Sequence, residues 1–178
     1  MKYLIVSDIH GAYDSVEFIL NKFNKEKCDY ILLLGDVLYH GPRNDLPNNY
    51  APKKCIELLN PYSDKIICVK GNCEAEVDQM VLKFKILDSY DEKINDILCH
   101  LEHGHHLDLY NGNAKLVLYG HTHIPDNTYD ERGFQRINPG SITIPKNNSK
   151  RGYAIWEDSK ITLYTIDNEV ISSYNYKK

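Results

Sequence analysis

The chain has 178 residues, 42% of them hydrophobic and 26% charged, with a net charge of -4. That length suits one domain, read here as residues 1–178, and allows a core that needs no disulfides. With no basic block and no apolar run near the roughly 20 residues of a membrane-spanning helix, the chain is expected to be soluble, with no tight grip on nucleic acid and no membrane contact.

The opening apolar run, Tyr3 to Val6, stops at Ser7-Asp8, too short for a secretory segment but right for a buried strand. A helix is predicted from about Asp14, where Val16, Ile19, Leu20 and Phe23 recur at helical spacing and Asp14 with Glu17 forms a capping pattern. A second buried strand, Tyr30 to Leu34, ends at Gly35-Asp36. This order begins a parallel α/β unit, whose ligands collect beyond the carboxyl ends of the strands, where Asp8 and Asp36 both fall.

Residues 38–49, rich in Gly, Pro, Asn and charge, are predicted as a loop overhanging that end, followed by a short helix from Pro52 to Leu59. Ile66 to Val69 is a third strand, delivering Gly71-Asn72. Phe84 to Leu87 and Ile97 to Leu101 are predicted as strands of a second layer, the latter running into Glu102-His103-Gly104-His105-His106. Leu116 to Tyr119 then ends at Gly120-His121-Thr122-His123, and residues 129–134 read as a hairpin turn. Tyr153 to Trp156, Ile161 to Ile166 and Val170 to Tyr174 close the chain as antiparallel strands.

Five cysteines without a C-x-x-C pair argue against a zinc knuckle or disulfide framework and for a reducing cytoplasm. Cys28, Cys55, Cys68 and Cys99 read as core fillers. The fourteen tyrosines are scattered and read as strand packing and a subunit contact in a homo-oligomer. Asp8, His10, Asp36, Asn72, His103, His121 and His123 are seven oxygen and nitrogen donors at or just after strand ends. A mixed imidazole and carboxylate set suits a transition metal better than calcium or structural zinc. Seven donors exceed one tetrahedral ion but fit two ions about 3.5 to 4 Å apart, with Asp36 as the natural bridge.

Asp8-x-His10, Gly35-Asp36, Gly71-Asn72-Cys73-Glu74, His103-Gly104-His105 and Gly120-His121-Thr122-His123 resemble, in order and spacing, the five signatures of calcineurin-like metallophosphoesterases. The short length, the Asn-Cys pair and Asn138-Pro139-Gly140-Ser141 look most like the small YfcE-type phosphodiesterases of bacteria and archaea. The resemblance spans essentially the whole chain. It implies an α/β fold, a four-layer α-β-β-α sandwich with two packed mixed sheets. It also implies a first ion on Asp8, His10, Asp36 and His123 and a second on Asp36, Asn72, His103 and His121. Manganese is the ion the resemblance suggests, with nickel, cobalt, iron and zinc also compatible.

The implied activity is hydrolysis of a small phosphodiester by a metal-activated water, with Asp36, His121 and Asn72 as the catalytic set. Cys73 stands where larger relatives carry a histidine that protonates the leaving oxygen, and a thiol is a poor general acid, so good leaving groups are expected. Cys73, Arg43, Asn44 and His105 are substrate-contact candidates, with plain solvation the alternative for the two loop residues. A phosphomonoesterase, or a non-catalytic scaffold like the retromer subunit of this fold, are the competing readings.

Overall fold

In the computed structural model, which describes residues 1–177, the first apolar runs pair where their lengths place them. Strand β1 (Lys2–Val6), helix α1 (Tyr13–Glu26) and β2 (Tyr30–Leu33) form a parallel unit in the register Tyr3 to Tyr30 and Val6 to Leu33. Helix α1 does not start on an Asp14–Glu17 capping box: its N-cap is Ala12, which makes no side-chain cap bond. The backbone does that work instead, since Tyr13 N–H donates to Asn49 O at 3.1 Å and Ala12 bridges to Tyr50. Asp14 faces the Arg151 guanidinium at 3.6 Å.

Helix α2 (Pro52–Leu59), with proline at its first turn where a missing N–H costs nothing, leads through a 3-10 stretch at Asn60–Lys65 into β3 (Ile66–Val69). After α3 (Glu76–Val81), only Ile86–Leu87 forms a strand, β4, and it pairs parallel with β3. It therefore edges the first sheet and is not part of the second layer expected for residues 84–87. The Gln79 side chain causes this return, donating to Phe84 O and accepting Ile86 N–H, while Phe84 is buried in the cluster that α1 and α2 share with the first sheet.

The second layer begins with β5 (Tyr90–Ile94), a charged strand with exposed Asp91, Glu92 and Lys93 that no apolar pattern announces. It continues through β6 (Ile97–Leu101), β7 (Leu116–Leu118), β8 (Pro125–Asp130) and β9 (Phe134–Pro139). The chain then returns to the first sheet as β10 (Gly152–Glu157), β11 (Lys160–Thr165) and β12 (Val170–Asn175). The seven-stranded order is β12-β11-β10-β1-β2-β3-β4 and the five-stranded order β5-β6-β7-β9-β8. Both sheets are mixed: the first is parallel from β1 through β4 and antiparallel from β1 through β12, while the second has a parallel centre and antiparallel flanks.

Strand alternation sorts the core into layers. Leu4, Val6, Ile31 and Leu33 face α1 and α2, while Ile5, Leu32, Leu34 and Trp156 face Cys99, Leu101, Leu116 and Leu118 of the second sheet. The outer face of that second sheet carries a 3-10 turn at Leu107–Leu109, packed with Tyr110 over Val117 and Phe134. Tyr176 is tucked beneath Trp156, whose indole N–H lies 3.2 Å from its hydroxyl.

The sheets are in close contact where β1 and β7 end. A Cβ added at Gly120 would collide with Ser7 Oγ and stand 3.0 Å from Asp8 Oδ2. Gly120→Ala is therefore expected to cost about 2 kcal/mol, the usual scale of overpacking, as a lower urea midpoint with an unchanged m-value. Wild-type stability in that variant would show that the two sheets separate freely at this point.

Candidate metal centre

Five strands point their C-terminal ends at one place. Asp8 and His10 follow β1, Asp36 follows β2, Asn72 follows β3, His103 follows β6, and His121 and His123 follow β7. Asp8, His10, Asp36, His103 and His123 are all buried, whereas Asn72 is exposed and His121 half-buried. Asp8, His10, Asp36, His121 and His123 all have positive φ, between 51° and 66°. Non-glycine residues rarely adopt that conformation, and five together mark a backbone bent to aim side chains inward.

The histidines are locked from behind. Nδ1 of His10, His103 and His123 lies 2.8, 2.6 and 2.6 Å from the carbonyls of Tyr39, Leu34 and Ile144. A carbonyl only accepts, so each Nδ1 carries the proton and each Nε2 faces the cluster, the tautomer in which a metal-ligating imidazole is oriented. Nε2 of His10 and of His123 lie 3.2 Å apart. Asp8 Oδ1 sits 3.3 Å from His123 Nε2 and 3.7 Å from His10 Nε2, yet is a buried oxygen without a hydrogen bond. Converging lone pairs around an orphaned carboxylate oxygen fit a cation, and Asp8, His10 and His123 offer ligand atoms within 4.8 Å of one another.

Asp36 occupies the middle. Its Oδ1 accepts Cys73 N–H at 2.8 Å, leaving Oδ2 3.3 Å from His103 Nε2 and 3.7 Å from His10 Nε2. Asn72 Oδ1 lies 3.2 Å from His103 Nε2, and the His121 ring stands 5.1 Å from that of His103. Burial pushes the Asp8 carboxyl up to about 7. Burial works to lower His103, but the neighbouring Asp36 and Asp8 carboxylates raise it to about 9, so the buried acidic pair draws in positive charge. Burial foremost brings His121 and His123 down to about 4, which keeps them neutral and available as ligands.

The overhanging loop does reach the site. Gly41, Pro42, Arg43 and Asn44 line its cavity with Asp36, Asn72, Cys73, His121 and His123. Burial, with Asp36 beside it, pushes the Cys73 thiol up to about 12. His105 stands 5.6 Å from the His103 ring with its Nδ1 buried and unpartnered, while His40 turns away onto Tyr39 and Tyr50.

Three supporting residues are given no role by the residue pattern, although Glu74 and Ser141 stand inside its motifs. Glu74 is buried, and its carboxylate accepts the backbone N–H groups of Asp36 (2.9 Å), Val37 (2.6 Å) and Gly71. Ser141 Oγ donates to Asp8 O and accepts Thr143 and Ile144 N–H, setting the carbonyl on which His123 rests. Lys146 lines the same cavity as Arg43's loop.

Residues 1–160 match the family model of the calcineurin-like phosphoesterase superfamily domain. The chain is 39% identical over 178 residues to phosphodiesterase YfcE of Escherichia coli strain K12, covering 96% of this chain and 95% of that one. The solved structure of that phosphoesterase superposes with a TM-score of 0.92 over 98% of this chain and 99% of that chain. A probable metallophosphoesterase of Bacillus subtilis strain 168, YsnB, is 30% identical over 165 residues, 87% of this chain and 83% of its own. Vps29 of Entamoeba histolytica shares the fold, with a TM-score of 0.66 at 19% identity over 99% of this chain and all of that one.

Proposed function

The chain belongs to the calcineurin-like phosphoesterase superfamily, and on that premise we propose that it is a phosphodiesterase working as one domain, with divalent ions held by Asp8, His10, Asp36, Asn72, His103, His121 and His123. The observation that carries this reading is the trio of imidazoles whose Nδ1–H groups are tied to carbonyls, so that three Nε2 atoms converge on two buried carboxylates. A pair of divalent ions, when bound, supplies a nucleophilic water at neutral pH and a positive clamp for phosphoryl oxygens.

The side chains do the positioning. Asp36 spends one oxygen on Cys73 N–H and turns the other between His10 and His103, the posture of a bridging carboxylate. Asp8, His10 and His123 form one half of the donor set, and Asn72, His103 and His121 the other. His121 and Asn72 border the cavity and orient the scissile phosphate there. Cys73 borders it too, and a part-buried thiol is a poor proton donor, so the leaving oxygen must depart without a strong protein acid.

Manganese is the ion we assign, with nickel, cobalt, iron and zinc compatible with the same donors. Five free cysteines support a reducing, cytoplasmic setting. Among the described residues no helix is long and apolar enough to cross a membrane. With manganese supplied, bis(p-nitrophenyl) phosphate should turn over faster than p-nitrophenyl phosphate, and the comparison is repeated with nickel, cobalt and magnesium. Faster monoester turnover would make the protein a phosphatase. Protein that neither binds a transition metal nor hydrolyses either ester would point to a scaffold.

A further inference from the structure

Three of the four arginines have a counter-charge: Arg132 with Asp130 at 2.8 Å, Arg136 with Asp126 at 3.5 Å and Arg151 with Asp14 at 3.6 Å. Among the described residues Arg43 pairs with no carboxylate, and neither does Lys146. Both border the metal-centre cavity, from different loops. Arg43 extends from the segment after β2, and Lys146 is seated by its own N–H on His123 O at 3.4 Å.

Arg43 and Asn44 line both this cavity and a larger polar one, which Asp14, Asp45, Asn48, Asn49, Thr143 and Arg151 border further, with Asp14 neutralised by Arg151. An arm of a substrate leaving the scissile phosphate in that direction passes Arg43. The scissile group of a diester carries a single negative charge, which bound divalent ions already meet. Two unpaired cations beyond them focus the field on a further anion.

Resting on the phosphodiesterase reading, we propose that Arg43 and Lys146 select diesters whose second arm carries its own phosphate, which they hold at the rim of the metal-centre cavity. Thymidine 5′-(p-nitrophenyl phosphate) and the same compound with an added 3′-phosphate differ only in that charge. Manganese-loaded wild-type enzyme should favour the phosphorylated compound in kcat/KM by about tenfold or more, the scale of one charged hydrogen bond, mainly through KM. The preference should shrink as salt rises. Lys146→Met and Arg43→Met should each reduce that ratio, and Lys146→Arg should restore it, which a merely structural role would not do.

Equal rates on the two compounds in wild type, or variants that lose both in proportion, would overturn the charge selection while leaving the phosphodiesterase reading standing. No manganese-stimulated release of nitrophenol from either compound would overturn the phosphodiesterase reading, and this proposal with it.

Discussion

Asp36→Asn is expected to lower kcat/KM on an activated diester by at least about a hundredfold, since even partners outside the coordination shell cost 10- to 100-fold in such sites. The fold should survive. The amide oxygen of the substituted side chain can still accept Cys73 N–H, which Asp36 accepts at 2.8 Å, so the loop keeps its backbone anchor. What disappears is the anionic oxygen that stands 3.3 Å from His103 Nε2 and 3.7 Å from His10 Nε2. In its place an amide N–H₂ faces those nitrogens and cannot share a cation. Bound manganese per chain should fall with activity, while the circular dichroism spectrum stays that of wild type. Near wild-type turnover in this variant would sink the assignment of Asp36 as the bridge and the two-ion scheme built on it.

Glu74→Gln should lower stability by about 2 kcal/mol, although Glu74 belongs to neither half of the donor set. Its Oε2 accepts the N–H groups of Asp36 and Gly71, and its Oε1 accepts that of Val37. An amide offers only one acceptor oxygen, so either rotamer points an N–H₂ at a buried backbone donor. At least one N–H is then orphaned, at about 1 to 3 kcal/mol. The loops after β2 and β3 are joined through this carboxylate, and a Cβ at Gly71 would meet Asp36 Oδ1, so no looser arrangement is available to absorb the change. The urea midpoint reports the loss, and manganese affinity should weaken with it because Asp36 is displaced. A midpoint equal to wild type would show that the three N–H groups have other partners.

Much of this molecule is visible in its residues. Apolar runs of four or five residues mark β1, β2, β3 and β6, and their abrupt ends at Asp8, Asp36, Asn72 and His103 locate the site. What failed did so where tertiary contacts replaced local chemistry. The α1 start is met by a loop some 36 positions later in the chain, through Tyr13 N–H on Asn49 O, and the Asp14 side chain turns to Arg151 instead of to the helix backbone. β5 is an edge strand whose charged residues face solvent, a composition that guards against edge-to-edge pairing and hides the strand from hydrophobic pattern. β4 joined the first sheet because Gln79 reels the chain back to β3.

The same division runs through the proposed metal centre. Donor type, donor order and the strand ends that deliver them follow from the sequence alone, because a strand ends where its apolar run ends and the next polar residues must lie in the crevice. Only the tertiary structure decides which nitrogen of each histidine faces inward. The carbonyls that fix this lie 29, 69 and 21 positions away, on Tyr39, Leu34 and Ile144. It alone decides that five of the seven donors sit at positive φ, because that strain persists only where packed sheets hold it. And it alone brings Glu74 beneath the loops and Lys146 to the mouth, since hydrogen bonding and electrostatic fields act across space, without regard to distance along the chain.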